Sequence, residues 1–157
     1  VDNKLIFFRK GLKPCWESWP RGGCWIIQIR KREDSHLYNT KWEKLLFACI
    51  LEELGADVIG VVLSVRQKKN LIEIWIKDTH EEEKRVEIGE KIREVLELEP
   101  SNLVFYFKEH IKSLEEGSTL RGVQQYSFIS TPIETPVGTP VISNINVDND
   151  LEDLEIM

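Results

Sequence analysis

The chain has 157 residues, 41% apolar and 31% charged, with a formal net charge of −6, which suits one domain with its own core and is short for two. No apolar run approaches the roughly 20 residues that a membrane-spanning helix needs, so no membrane role is expected. Residues 127–157 hold six acids and no Lys or Arg, leaving 21 basic and 21 acidic residues in 1–126; a neutral domain does not grip long nucleic-acid backbone by bulk charge, so any nucleotide site must be local.

In chain order, Leu5-Ile6-Phe7-Phe8 predicts a short buried strand ending at Gly11. After the turn Trp19-Pro20-Arg21-Gly22-Gly23, residues 24–30 alternate as a strand, with Trp25, Ile27 and Ile29 on one face and Ile26, Gln28 and Arg30 on the other. Thr40-Lys41-Trp42-Glu43 is a capping box and predicts a helix start. Trp42, Leu45, Leu46, Cys49 and Ile50 then form a core-facing stripe, with Gly55 as the stop. Phe47, Leu51 and Leu54 make a second apolar stripe, which a surface helix does not need and which wants a cover of its own.

Residues 58–66 and 71–77 predict a hairpin. Its Val61, Leu63, Val65, Ile72, Ile74 and Ile76 share the face that presses on helices. Leu71, Glu73, Trp75 and Lys77 share the opposite, mixed face, as suits a ligand groove, with Arg66 on the same side as Trp75. Thr79-His80-Glu81-Glu82 is a second capping box, opening a helix to about Leu96 with Ile88, Ile92, Val95 and Leu96 inward. Residues 103–107 predict a last clear strand, and Gly117-Ser118-Thr119 begins a loop. Connections this short favour antiparallel pairing, so the expected fold class is α+β: a curved antiparallel sheet with helices packed on the convex face.

The composition changes after Tyr126. Thr131-Pro132, Thr135-Pro136 and Thr139-Pro140 repeat at a four-residue spacing and are followed by Asn, Asp and Glu. Such a segment buries too little apolar area to offset its ordering entropy. The expected organisation is a ligand-binding domain over 1–126 and a flexible acidic tail over 127–157, either a spacer or a set of proline-directed phosphorylation sites.

Cys15, Cys24 and Cys49 are odd in number and form no C-x-x-C pair, so neither a disulfide framework nor a zinc site is expected, and a reducing, cytoplasmic setting is. His36, His80 and His110 stand apart with no second ligand at a metal spacing, so no metal is expected. With no nucleophile–base pair and no phosphate-cradling glycine loop, an enzyme is not expected.

Five Trp stand out. Trp25 and Trp42 belong to core stripes; Trp16 and Trp19 lie on a Pro/Gly-bounded loop, and Trp75 on the mixed face. Trp16 is followed by Glu17. A methylated guanine carries positive charge on its imidazole ring, which an indole face attracts by stacking and cation–π terms of about 1–3 kcal/mol each. The guanine edge offers N1–H and N2–H side by side, and one carboxylate beside the stacking ring accepts both.

Gly11-Leu12-Lys13-Pro14-Cys15-Trp16-Glu17 and Arg21-Gly22-Gly23-Cys24-Trp25 resemble the cap loop and following strand of the eukaryotic translation initiation factor 4E family. Trp42-Glu43-Lys44-Leu45-Leu46 is similar to that family's helix behind the sheet. Gly60-Val61-Val62-Leu63-Ser64-Val65-Arg66, with Trp75 nine residues after the Arg, resembles its phosphate-binding hairpin, and Gly117-Ser118-Thr119 its closing loop. The resemblance covers roughly residues 5–119, without the family's N-terminal part, and the start without Met reads as a fragment.

This resemblance implies binding of the 7-methylguanosine cap of mRNA in translation initiation, a nucleotide ligand with no cofactor. Trp16 would stack on the base, Glu17 would read N1–H and N2–H, and Trp75 would touch the methyl group. Arg66 and Lys68 would hold the phosphates, and Ser118 would sit where the family carries a phosphorylation. The implied partners are capped mRNA and a scaffold initiation factor or translational repressor that docks a short helical motif on Phe47, Leu51 and Leu54. Leu71 stands where the family has another phosphate-binding Lys, and Lys44 where it has an acid. The alternative reading is therefore a protein-interaction module of the same fold with weak or no cap binding.

Overall fold

The computed structural model describes residues 3–30, 35–67, 69–97, 104–127 and 141–143. Its strands are β1 (Asn3–Phe8), β2 (Gly23–Arg30), β3 (Val58–Val65), β4 (Lys69–Ile76), β5 (Val104–Glu109), β6 (Gln124–Ser127) and β7 (Val141–Ser143). They form one sheet in the order β1-β3-β4-β2-β5-β6-β7, antiparallel at every pairing. The helices are α1 (Ser35–Ile50), α2 (Glu82–Val95) and α3 (His110–Glu116), with a single 3-10 turn at Trp16–Ser18. The class is the expected α+β, an open curved sheet with α1 and α2 on one side.

Alternation sorts the sheet into two apolar layers. Trp25, Ile27 and Ile29 of β2 join Val61, Leu63, Ile72, Ile74 and Ile76 under Leu45 and Ala48 of α1 and Ile88 and Ile92 of α2. Trp25 is the hub: its ring stacks on Phe105 at 4.5 Å and meets Phe107 and Tyr126 edge-on at 5.0 and 4.7 Å. Its indole N–H donates to the Arg85 carbonyl at 3.1 Å, so a fully buried polar atom is satisfied. Cys24, Ile26, Ile59, Val62, Leu71, Trp75 and Tyr106 form the layer on the other face. The register shift between Val58 and Gly60 marks a bulge; it puts Val58 in the helical layer and the next residue, Ile59, in the opposite one.

Several expectations need correction. Strand β1 exists but is not buried: Leu5, Ile6 and Phe7 are 55, 53 and 44% exposed, because β1 is the sheet edge and pairs only with β3. Helix α1 begins at Ser35, so Thr40 lies within it rather than at its cap. Thr79 caps nothing either. Its hydroxyl donates to the Arg21 carbonyl at 3.0 Å and its N–H to the same oxygen at 2.8 Å, while α2 starts at Glu82. A buried Thr tied to a distant turn is no longer free to serve a helix end.

The two apolar stripes of α1 also divide differently. Leu54, assigned to the outer stripe, is 1% exposed and belongs to the core. Ile50, assigned to the core stripe, is 57% exposed. The helix stops at Ile50, and turns through Glu52 (φ 59°) and Gly55 (φ 99°) swing Leu54 inward, so helical spacing does not extend to it. The expected tail, 127–157, lies outside the described residues except at Ser127, which ends β6, and at 141–143, which pair with β6 as a strand. Helix α3 and strand β6 carried no expectation.

Candidate functional site

The face opposite α1 and α2 is built in rows across the sheet. One row holds Phe8, Gly60, Trp75, Cys24 and Lys108; the next holds Ile6, Val62, Glu73, Ile26 and Tyr106; the third holds Lys4, Ser64, Leu71 and Gln28. Trp16 and Trp19 pack on this layer from the loop between β1 and β2, so the structure brings Trp16 and Trp75 to the same face. Trp16 is half-buried; Glu17, on the same 3-10 turn, is exposed. The turn is braced by the Trp19 indole N–H, which donates to the Lys13 carbonyl at 2.8 Å, and by α3, which packs against it.

Trp75 is the floor rather than a wall. It is 4% exposed, lies edge-on to Phe8 at 5.3 Å and sits 4.3 Å from the His110 ring. Gly60 makes room for this: a Cβ there would meet the Phe8 ring at 2.5 Å. His110 is itself fully buried, its Nδ1 3.1 Å from the Trp19 carbonyl, and burial pushes its pKa down to about 4. The ring is therefore neutral, donating from Nδ1.

Arg66 follows β3 and is half-buried; Val65 before it packs on the helical layer, so strand phase turns Arg66 toward the opposite face, the expected side. Lys68 lies outside the described residues. Glu73 was placed on this face by alternation but given no function. It is 4% exposed, accepts the Trp75 indole N–H at 3.2 Å, and is pushed above the usual carboxylate range by burial, against the pull of Trp75, Lys4 and Arg66.

The loop after α3 closes the face. Lys108 is buried, its ammonium donating to Glu116 at 2.5 Å, to the Ser118 carbonyl at 2.7 Å and to the Arg121 carbonyl. The Ser118 hydroxyl accepts the N–H groups of Leu120 and Arg121, both at 3.3 Å. Leu120, a member of the site-face layer, is thereby held in place. Sequence reading missed Lys108; its signal was a lone Lys continuing the outward phase of Tyr106 in an apolar strand.

Of the residues expected to meet a partner, Phe47 and Leu51 are 63 and 65% exposed, Ile50 lies with them, and Leu54 does not. A cleft of about 280 Å³ lies elsewhere, lined by Arg21, Thr79, His80, Glu82, Arg85 and Glu109; it mixes both charges and holds none of the residues expected to bind the ligand or a partner. No group of metal ligands occurs among the described residues, and no described helix is long and apolar enough to cross a membrane.

The sequence matches the family Eukaryotic initiation factor 4E over residues 1–125. It is 34% identical over 121 residues to Eukaryotic translation initiation factor 4E-4 of Caenorhabditis elegans, covering 74% of this chain and 55% of that protein. The chain spans about half the length of the curated relatives it matches. The fold is similar to Ascaris suum eIF4E-3 in complex with m7G cap, at a TM-score of 0.63 and 27% identity, covering 68% of this chain and 62% of that one. It is similar also to C. elegans eIF4E-3 in complex with the 4E-binding protein Mextli and cap analog, at a TM-score of 0.64 and 26% identity, covering 71% and 65%. The same Ascaris suum protein is seen with m2,2,7G cap as well. Agreement over four-fifths of the sequence, on the same sheet, makes this chain a member of the eukaryotic initiation factor 4E family.

Proposed function

We propose that the chain binds the 7-methylguanosine cap of mRNA in translation initiation, as a non-enzymatic cytoplasmic factor. The observation that carries this reading is the convergence of Trp16 and Trp75 on one sheet face, with Glu17 exposed beside the first and Arg66 half-buried just past the end of β3. Trp16 stacks on the charged base and Glu17 takes N1–H and N2–H. Trp75, 4% exposed, meets the methyl group, and Arg66 and Lys68 take the phosphates. Phe47, Leu51 and the neighbouring Ile50 receive a short helical motif of a scaffold or repressor, a mode in which apolar anchors at helical spacing fill a groove. In support of that partner class, C. elegans eIF4E-3 is seen with a 4E-binding protein.

A second reading, an interaction module with weak or no cap binding, draws on Leu71 and Glu73, which put an apolar and an acidic side chain on the face that would take phosphates. Tryptophan fluorescence separates the two. Titration with 7-methyl-GTP should quench emission, and unmethylated GTP should quench far less, because only the methylated ring is charged. Glu17→Ala should erase base selectivity, and Arg66→Ala should weaken binding of the phosphorylated forms more than of the bare nucleoside. Equal quenching by both nucleotides would sink the cap reading and leave the second.

A further inference from the structure

The roles above leave the buried carboxylate of Glu73 on the site face unused. Glu73 lies two residues before Trp75 on β4, with Val62 and Ile26 beside it on the neighbouring strands. Its Oε2 accepts the Trp75 indole N–H, so the carboxylate is oriented along the floor of the groove. A buried carboxylate is costly unless charge faces it. The cations acting on it are Lys4 from β1 and Arg66 from the end of β3. Cys24, one row along on β2 opposite Trp75, is a thiol held protonated by burial and by Glu73 itself. In the adjoining row of the same face, Leu71 is apolar and the buried Ser64 hydroxyl has no hydrogen-bond partner.

Resting on the cap reading above, we infer that Glu73 is a specificity-determining residue that sets how the site responds to the phosphate number of its ligand. Its position between the Trp75 floor and the Arg66 charge flattens that response. Each phosphate added to a 7-methylguanosine is attracted by Arg66, Lys68 and Lys4 and repelled by the ionised Glu73 carboxylate, which offsets part of that attraction in a partly desolvated groove. The positive base gains nothing from the extra phosphates. The favoured ligand class is thus 7-methylguanosine carrying few phosphates, bound nearly as well as the triphosphate form.

The test compares 7-methyl-GMP, -GDP and -GTP on the full chain and on Glu73→Gln and Glu73→Ala, with thermal melting to check folding. The unaltered chain should show a triphosphate-to-monophosphate affinity ratio of about 3 or less, and either variant should raise it about tenfold by removing the opposing charge. Two substitutions of different shape keep the result readable if one of them packs poorly. A ratio unchanged in both variants, with binding retained, overturns this inference alone and leaves the cap reading standing. A steep ratio already present in the unaltered chain does the same. No binding of any methylated nucleotide by chain or variant overturns both.

Discussion

Lys108 reaches Glu116 at 2.5 Å from a position with no side-chain exposure, and the same ammonium holds the carbonyls of Ser118 and Arg121. A strand residue thereby fastens a loop across the end of the site face. Three acceptors match the three protons of an ammonium, which is why a fully buried Lys is tolerated here.

Removing that ammonium is therefore expected to cost more than removing its carboxylate. Lys108→Met should destabilise the protein by about 2–4 kcal/mol, because two carbonyls and a carboxylate lose their donor together. Glu116 is 33% exposed, so Glu116→Gln should cost less, leaving the two carbonyl contacts in place. Urea denaturation gives the ranking, and faster amide exchange at residues 117–122 in Lys108→Met would locate the loss. Equal costs for the two variants would mean that the ion pair, not the carbonyl contacts, is what matters.

Stability should also respond to pH from two groups with opposite signs. His110 has its pKa pushed down to about 4 by burial, from 6.5. Between those values the unfolded chain binds the extra proton, so stability falls as pH drops from about 6.5 toward 4, by about 3 kcal/mol in full. Glu73 has a raised pKa, so the folded state keeps its proton longer. Its contribution is present at low pH and is lost as pH rises through the raised value. Denaturation at a series of pH values should show His110→Gln flattening the acid limb and Glu73→Gln raising stability on the neutral side. An acid limb unchanged in His110→Gln would assign the loss to other groups.

Much of this was legible in the sequence because alternation is a backbone property. Trp25, Ile27 and Ile29 against Cys24 and Ile26, and Ile72, Ile74 and Ile76 against Leu71, Glu73 and Trp75, sorted onto faces as their spacing predicted. What failed depended on partners far along the chain. Thr79 looked like a helix cap until the Arg21 carbonyl, 58 residues away, claimed its hydroxyl. The apolar run in β1 looked buried because nothing in six residues says that a strand will lie at a sheet edge. Trp16 and Glu17 could be singled out by chemistry, whereas the depth of Trp75 depends on Phe8 and His110, which only the fold brings to it.

The outer face of α1 separates stability from recognition. Leu54 is 1% exposed, so Leu54→Ala should cost about 2–5 kcal/mol whatever partner is present. Phe47 is 63% exposed, so Phe47→Asp should change stability by no more than about 0.5 kcal/mol. An amphipathic helical peptide should lose most of its affinity for Phe47→Asp and for Ile50→Asp, as measured by fluorescence anisotropy. Peptide binding that ignores both substitutions would remove this face as the partner site.

Gly60 tests how the groove floor is held. A Cβ there would come within 2.5 Å of the Phe8 ring and 2.7 Å of the Phe7 carbonyl oxygen. Neither can yield freely: Phe8 is wedged edge-on against Trp75 at 5.3 Å, and the Phe7 carbonyl belongs to a strand paired in register with β3. Gly60→Ala should therefore push β1 away from β3, at a cost of about 1–3 kcal/mol. Because β1 is an edge strand, the push can be absorbed by opening that edge, with faster amide exchange over residues 3–8 and little change in β2 or β5. Trp75 emission should shift to longer wavelength as Phe8 withdraws and water reaches the indole. The double variant Phe8→Ala with Gly60→Ala should be less destabilised than the two single costs added together, since removing the ring removes half the clash. Strict additivity would place the whole strain on the Phe7 carbonyl, and unchanged exchange in β1 would show that the edge strand is not what gives way.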